Sequence, residues 1–406
     1  MQIRFFKFIY KLVFAAACLA NLSAAVSASL GEVDPELAAI TEFLAADAMQ
    51  GRGKGTEGHE RAAGYLEQWL QDHGFTPLGG KGKGFRAPFD GGVNLLASIS
   101  PDGEKARQPQ VLISAHYDHL KSGCGTIPGA HSAICNGATD NAAAVAAVLT
   151  AALRIKDDIG APVAVALWDG EEAGLAGSTA FVRKPTFRLK KVKLIINLDI
   201  IGLNLFKGME ATHMIMGAET GGAALVKQLD ALMAQSPLQI YPLSYAFSHR
   251  RSDHTPFVTN PAGGTPIVFF TDGDGAQYHS CRDELDLVNY GKATQVSLLV
   301  GKLAVLASQP STEYQFRAPP KTGAQYLPGY PDTKILFDLY QEVLTVSGTN
   351  GLNANQLDIL NGNRKWLHRM NRAGADKFGH PEAQFLGSAT QAVTQISREV
   401  FFSDPD

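Results

Sequence analysis

The chain has 406 residues, with 36 basic against 39 acidic side chains and a formal net charge of −3. That balance, without a basic block, argues against a nucleic acid or an anionic membrane surface as partner. An apolar fraction of 45% suits a globular protein, and the length allows one large α/β domain plus an addition.

The chain opens with Arg4, Lys7 and Lys11 ahead of the apolar stretch LVFAAACLANLSAAV, which ends in Val26-Ser27-Ala28. This order of basic, apolar and small residues predicts a signal peptide over 1–28, cleaved after Ala28, and hence export to a periplasmic or extracellular space. Lipidation at Cys18 is the lesser alternative. The apolar part is short for a membrane span, so no stable span is expected after removal of the signal. HERAAGYLEQWLQDHGF then predicts an amphipathic helix, with Ala63, Leu66, Trp69 and Leu70 near one face and Gly74 as its stop. The Gly-rich MQGRGKGTEGHE before it predicts a loop near the site.

VLISAH, VAVALWD, KLIINLD and TPIVFF are short, continuous apolar runs, as expected of buried strands in a mostly parallel sheet. Sites in such α/β folds lie beyond the carboxyl ends of the strands. His116, Glu172 and Asp199 stand at those ends, Asp140 opens the apolar helix NAAAVAAVLTAAL, and His279 follows later in QYHSCRDELD. Each has an ordinary structural explanation alone: a hydrogen-bonded histidine, a helix cap at Thr139 or Asp140, a solvated Glu171-Glu172 pair. Together, imidazoles and carboxylates at five such positions suit zinc or a similar divalent ion. Five ligands exceed one tetrahedral site and, with one carboxylate shared, suffice for two ions.

These segments resemble the motifs of the zinc aminopeptidase and glutamate carboxypeptidase family of bimetallic exopeptidases. The matching stretches are His116-Tyr117-Asp118, GATDNAAA, EEAGLAGS from Glu171 to Ser178, Asn197-Leu198-Asp199, Ser252-Asp253-His254-Thr255-Pro256-Phe257, and Tyr278-His279 with Asp283. They occur in the family's order and cover roughly residues 35 to 305. The resemblance implies two zinc ions per chain, one on His116 and Asp199, the other on Glu172 and His279, with Asp140 between them and a cis Asp140–Asn141 bond. It implies Glu171 as general base, Asp118 as the partner that orients His116, and Asp283 as a similar partner for His279. A donor to the developing oxyanion is expected from His249, Tyr245 or Arg251 in YAFSHRRSDH. The implied activity is release of N-terminal residues from peptides, with carboxypeptidase or dipeptidase activity close behind. Thr139 departs from the usual paired acids, and Ala143-Ala144 from the usual Ser-Gly. GATD also occurs in the single-zinc glutaminyl cyclases of this fold, the nearest rival. A non-catalytic binding ectodomain is less favoured, because all the ligand positions are filled.

Cys124 and Cys135 flank a Gly-rich loop, and an exported setting permits their pairing; Cys281 would be left over. The expected division is a catalytic domain over 33–308, a Pro-rich connector over 309–330 and a helical extension over 331–406. That extension shows Asp332 as a cap before ILFDLYQEVL, then two further helices. It is expected to pack on the catalytic domain or support oligomerisation, with a substrate-facing role as the sharper alternative. His368 and His380 are expected at its surface. The sequence sets neither the oligomeric state nor the preferred substrate side chain.

Overall fold

The computed structural model describes residues 30–403 apart from 81, 83, 102–107, 122–123, 125–132 and 324. The expected signal segment 1–28, with Cys18, lies outside the described residues. In chain order the helices are α1 (Pro35–Leu44), α2 (Glu57–Asp72), α3 (Ala143–Arg154), α4 (Ala176–Arg183), α5 (Gly222–Met233), α6 (Thr255–Val258), α7 (Tyr290–Ser308), α8 (Pro331–Val346), α9 (Ala354–Ala373) and α10 (His380–Ser403). The strands are β1 (Thr76–Pro77), β2 (Arg86–Phe89), β3 (Gly92–Ile99), β4 (Val111–His116), β5 (Val163–Trp168), β6 (Leu194–Leu198), β7 (Thr212–Met216), β8 (Gln239–Leu243) and β9 (Ile267–Thr271), with a small hairpin of β10 (Lys321–Thr322) and β11 (Gln325–Tyr326).

The strand order is β1-β3-β5-β4-β6-β9-β7-β8, with β2 beside β3. The four central strands β5-β4-β6-β9 are parallel, as the apolar runs predict. On either side, β3 runs antiparallel to β5 and β7 antiparallel to β9. Alternate side chains serve two buried layers: Ile113 and Val165 point to one face, Leu112 and Ala164 to the other. Helices α1, α2, α3, α5 and α7 cover the first face. In α3, every residue from Ala143 to Ala152 is buried, and its short Ala side chains let it lie close to the sheet. No side chain caps α3, contrary to the expected role of Thr139 or Asp140, because both residues are engaged in the turn before it.

The second face carries Phe181 and Phe257 and is extended by the C-terminal helices, whose Leu336, Leu339, Tyr340, Leu360 and Leu386 join the same core as Met214, Met216 and Tyr241. The expected cap at Asp332 is not formed. Asp332 is buried and instead accepts bonds from Ser244 N, Ser244 Oγ and Gly329 N, so it ties α8 to the end of β8. The capping box at the start of α9, Asn353 with Gln356, is complete. His368 and His380 are exposed. None of the described helices is long and apolar enough to cross a membrane.

Candidate metal centre

The parallel centre sends four segments past one edge of the sheet. His116 closes β4, Glu171 and Glu172 sit in the turn after β5, Asp199 follows β6, and His279 lies in the loop after β9. Asp140 joins them from the turn before α3, and its peptide bond to Asn141 is cis. His116 Nε2 lies 3.3 Å from Asp199 Oδ1 and 3.4 Å from Asp140 Oδ1. The other Asp140 oxygen is 3.4 Å from His279 Nε2 and 4.0 Å from His119 Nδ1. Glu172 meets the same two imidazoles, at 3.0 Å to each. Asp140 thus stands between two clusters. In His116–Asp140–Asp199 and in His119–Asp140–Glu172, the potential ligand atoms all lie within 4.8 Å of one another.

His119 escaped the sequence reading. It stands three residues after His116, on the loop that crosses the edge rather than at the strand end itself. Its ring reaches Glu172 because Gly137 leaves space: a Cβ there would lie 2.6 Å from the ring. The only available signal was a second histidine directly after the His-x-Asp motif.

The electrostatics suit a cation. Although burial opposes it, Asp140 and Glu172 push the His279 imidazole up to about 10, and Asp199, Asp118 and Asp140 hold His116 well above its usual range. In turn, His116 and His279 keep Asp140 far below the ordinary carboxylate range against the effect of burial. Imidazole nitrogens and carboxylate oxygens at these separations fit zinc or a similar divalent ion.

The surrounding hydrogen bonds hold the ligands in place, and two of them differ from expectation. His116 Nδ1 bonds the backbone carbonyl of Asp118 at 3.0 Å, not its carboxylate, which is 3.7 Å away. The Asp118 carboxylate instead accepts the backbone N–H of Glu171 at 3.1 Å, because strand β5 brings that turn alongside. Asp283 does not orient His279. One of its oxygens accepts Thr139 N and Oγ1 at 2.9 and 2.8 Å, and the other accepts Asp140 N at 2.9 Å. It therefore clamps the turn that carries Asp140. The segment MQGRGKGTEGHE, expected as a loop, lies just behind, but it runs as a 3-10 turn as far as Arg52 and enters α2 at Glu57. Its Arg52 is buried and donates to the carbonyls of Leu44, Tyr117, Asn136 and Gly137, and burial lowers its pKa to about 10. The expected Cys124–Cys135 disulfide is present at the outer end of this region, and Cys281 is buried apart from it.

A cavity of about 90 Å³ opens beside the clusters, bordered by Asp140, Glu171, Asp199, Asp274, Arg251 and Tyr278. Burial pushes the Glu171 carboxyl well above the usual range, with Asp199, Asp253 and Glu172 adding to the shift and His116 opposing it. Of the three expected oxyanion residues, Arg251 borders this cavity and pairs with Asp274 at 2.9 Å. Tyr245 is fully buried and its hydroxyl meets His249 Nδ1 at 3.0 Å, beneath Tyr326. Neither Tyr245 nor His249 lines the cavity. Tyr278 does, stacked on His279 at 3.8 Å, and burial and the nearby acids raise its phenol so that it keeps its proton.

A shared carboxylate between two imidazole–carboxylate clusters is what a hydrolase with co-catalytic cations requires, and with this fold it defines a metallopeptidase. Residues 94–304 match peptidase family M28, and the chain belongs to that family. Among solved structures, the LapA aminopeptidase of Legionella pneumophila aligns with a TM-score of 0.53 and 17% identity, over 71% of this chain and 73% of that one. A Zn-dependent exopeptidase from Parabacteroides distasonis aligns with a TM-score of 0.50 and 16% identity, over 68% and 99%. At such identities these two speak for the fold alone. The vacuolar membrane protease of Lodderomyces elongisporus is 27% identical over 195 residues; the match covers 47% of this chain and 18% of that longer protein. Helices α8 to α10 fall outside the matched family region.

Proposed function

We propose that the chain is an exported dinuclear-zinc exopeptidase that removes N-terminal residues from peptides. The observation that carries the amino-terminal preference is the pairing of Arg251: it is the one guanidinium among the cavity's lining residues, and Asp274 holds it at 2.9 Å, so it is not free to bind a substrate carboxylate. Carboxypeptidase action would need a cation free to bind the terminal carboxylate.

His116, Asp140 and Asp199 would hold one zinc, and Asp140, Glu172 and His279, joined by His119, the other. Bound there, the ions would polarise the scissile carbonyl and acidify the attacking water. Glu171 would act as the base, its carboxylate accepting a proton from the attacking water and returning it to the leaving amine. Tyr278 donates its O–H towards the oxygen on which charge develops. Asp118 acts through Glu171, fixing its backbone. Two clusters sharing Asp140 favour this reading over the single-zinc cyclase. The basic and apolar start of the chain, together with the disulfide, supports an exported setting. A catalytic unit over 33–308 followed by a connector and a helical extension is the proposed division.

The test is zinc content per chain, measured beside product analysis on aminoacyl, C-terminal and N-terminal glutaminyl peptides. Two ions with stepwise release of N-terminal residues are expected. One ion with pyroglutamate as the product overturns the proposal in favour of cyclisation, and release of C-terminal residues overturns the amino-terminal preference.

A further inference from the structure

A second cavity, of about 390 Å³, lies between the edge strand β8, helix α5 and the start of α8, and shares no lining residue with the metal cavity. Its volume falls in the range of small-molecule sites, about 300–1,000 Å³. Val226, Leu229 and Asp230 stand at helical spacing on one face of α5. Pro320, Leu327 and Ile335 close the other side, from residues beyond the matched family region. Val226 is 36% exposed, so the mouth of the cavity is open to solvent. The lining is apolar except for Ser244 and three carboxylates, Glu219, Asp230 and Asp332, and it holds no Lys, Arg or His. Asp332 is occupied by Ser244 and Gly329. Burial pushes Glu219 up to about 7, against the bond that its Oε1 accepts from Tyr245 N at 2.7 Å. One short segment joins the two cavities: Ser244 borders the second, while Phe247 and Arg251 border the first. Between them, Glu219 holds Tyr245 N, and the Tyr245 hydroxyl meets His249.

We propose that this second cavity binds an amphipathic organic ammonium, a single positive nitrogen on an apolar body, and that its occupancy tunes the metal cavity through the segment from Ser244 to Arg251. The binding half stands without the exopeptidase reading; the effect on turnover rests on it. The chemistry follows from the lining. An apolar body gains by leaving water against Val226, Leu229, Leu243 and Ile335. The ammonium meets Glu219 and Asp230, for which the cavity wall supplies no cation. A ligand carboxylate would stand against these acids, and a wholly apolar ligand would take water from them without pairing them. A cation beside Glu219 favours its ionised form, and an ionised carboxylate accepts the Tyr245 N–H more strongly. The segment that carries Phe247 and Arg251 is then held more firmly, so this wall of the metal cavity is ordered before substrate arrives.

The test uses the full-length zinc-loaded protein and two probes that share one body, phenethylamine and phenethyl alcohol, with binding measured by calorimetry. Hydrolysis of a leucyl anilide is measured in parallel. The amine should bind roughly tenfold to hundredfold more tightly than the alcohol, from one charge-assisted pairing. Val226→Arg changes an exposed helix position, which the fold tolerates, and puts a guanidinium at the mouth one turn from Asp230. It should weaken amine binding by at least roughly tenfold with zinc content unchanged. Glu219→Gln, equal in shape, should bring the two affinities together. In the wild type the amine should lower KM about fivefold and leave kcat unchanged, and Val226→Arg should lose this response. Equal affinity for the two probes overturns the proposal, as does an amine affinity unmoved in Val226→Arg, or an amine that raises KM equally in both proteins and so acts at the metal cavity alone. Tight amine binding with an unmoved KM overturns the coupling between the cavities. Failure of the exopeptidase reading looks different: no anilide is hydrolysed with or without amine, yet the preference for the amine and its loss in Val226→Arg persist.

Discussion

Asp283 lies outside both metal clusters, yet it decides where Asp140 stands. Both its oxygens are used, by Thr139 N, Thr139 Oγ1 and Asp140 N at 2.8–2.9 Å, and the residue is fully buried. Asp283→Asn keeps the shape but replaces one acceptor with an NH₂ donor. Whichever way the amide turns, at least one backbone N–H then faces another donor without access to water. A buried donor left unsatisfied costs about 1–3 kcal/mol, and exchanging a charged for a neutral acceptor weakens the bonds that remain, so a loss of about 2–4 kcal/mol is expected. Displacing Asp140 loosens the carboxylate shared by both clusters, so zinc affinity should fall by roughly 10–100-fold, the usual cost of losing such a supporting partner. Urea unfolding of the zinc-free protein gives the first quantity, and competition with a chelator of known affinity the second. Unchanged stability together with unchanged affinity for both ions would refute the view that Asp283 holds the Asp140 turn.

Glu171→Gln should retain both zinc ions and the fold while losing at least roughly 10²–10⁴ in kcat, since it removes proton transfer alone; near wild-type turnover would exclude Glu171 as the base. His119→Ala should weaken one zinc selectively, so that titration against a chelator separates a tight from a weak equivalent; equal loss of both would place His119 elsewhere in the scheme. Zinc binding should release protons near neutral pH, because His279, with a folded pKa of about 10, and His116 are protonated in the zinc-free protein and must be neutral to ligate. The sign is definite. In the zinc-free protein the His279 contribution to stability is complete below its ordinary value of 6.5 and fades as pH rises through about 10, whereas zinc affinity climbs over the same window. Affinity independent of pH between 6.5 and 9 would contradict this. Arg52→Met should destabilise the fold by about 3–5 kcal/mol in chemical unfolding, as four carbonyls behind the site lose a buried charged donor.

Much of this protein is legible from local pattern. The apolar runs ending at His116, Trp168 and Leu198 announce buried parallel strands, because strand periodicity and burial are written into consecutive residues. Four of the five expected ligand positions were legible for a similar reason: His116, Asp140, Glu172 and Asp199 stand close to the end of a strand or the start of a helix, whereas His279 lies within a loop. Tertiary structure decided the rest. Whether Asp118 reaches His116 or the Glu171 amide depends on how β4 lies against β5. The partner of Asp283 is 144 residues distant in sequence, and nothing local to it says whether His279 or the Asp140 turn will be its neighbour. His119 gained its place from a glycine 18 positions later in the chain, and Arg52 from carbonyls of four separate residues. The C-terminal helices read as amphipathic, but an apolar stripe says only that a helix packs, not against what. That Val393 of α10 lines the same cavity as Met214 and Phe269 is a matter of tertiary packing, which chain order does not encode.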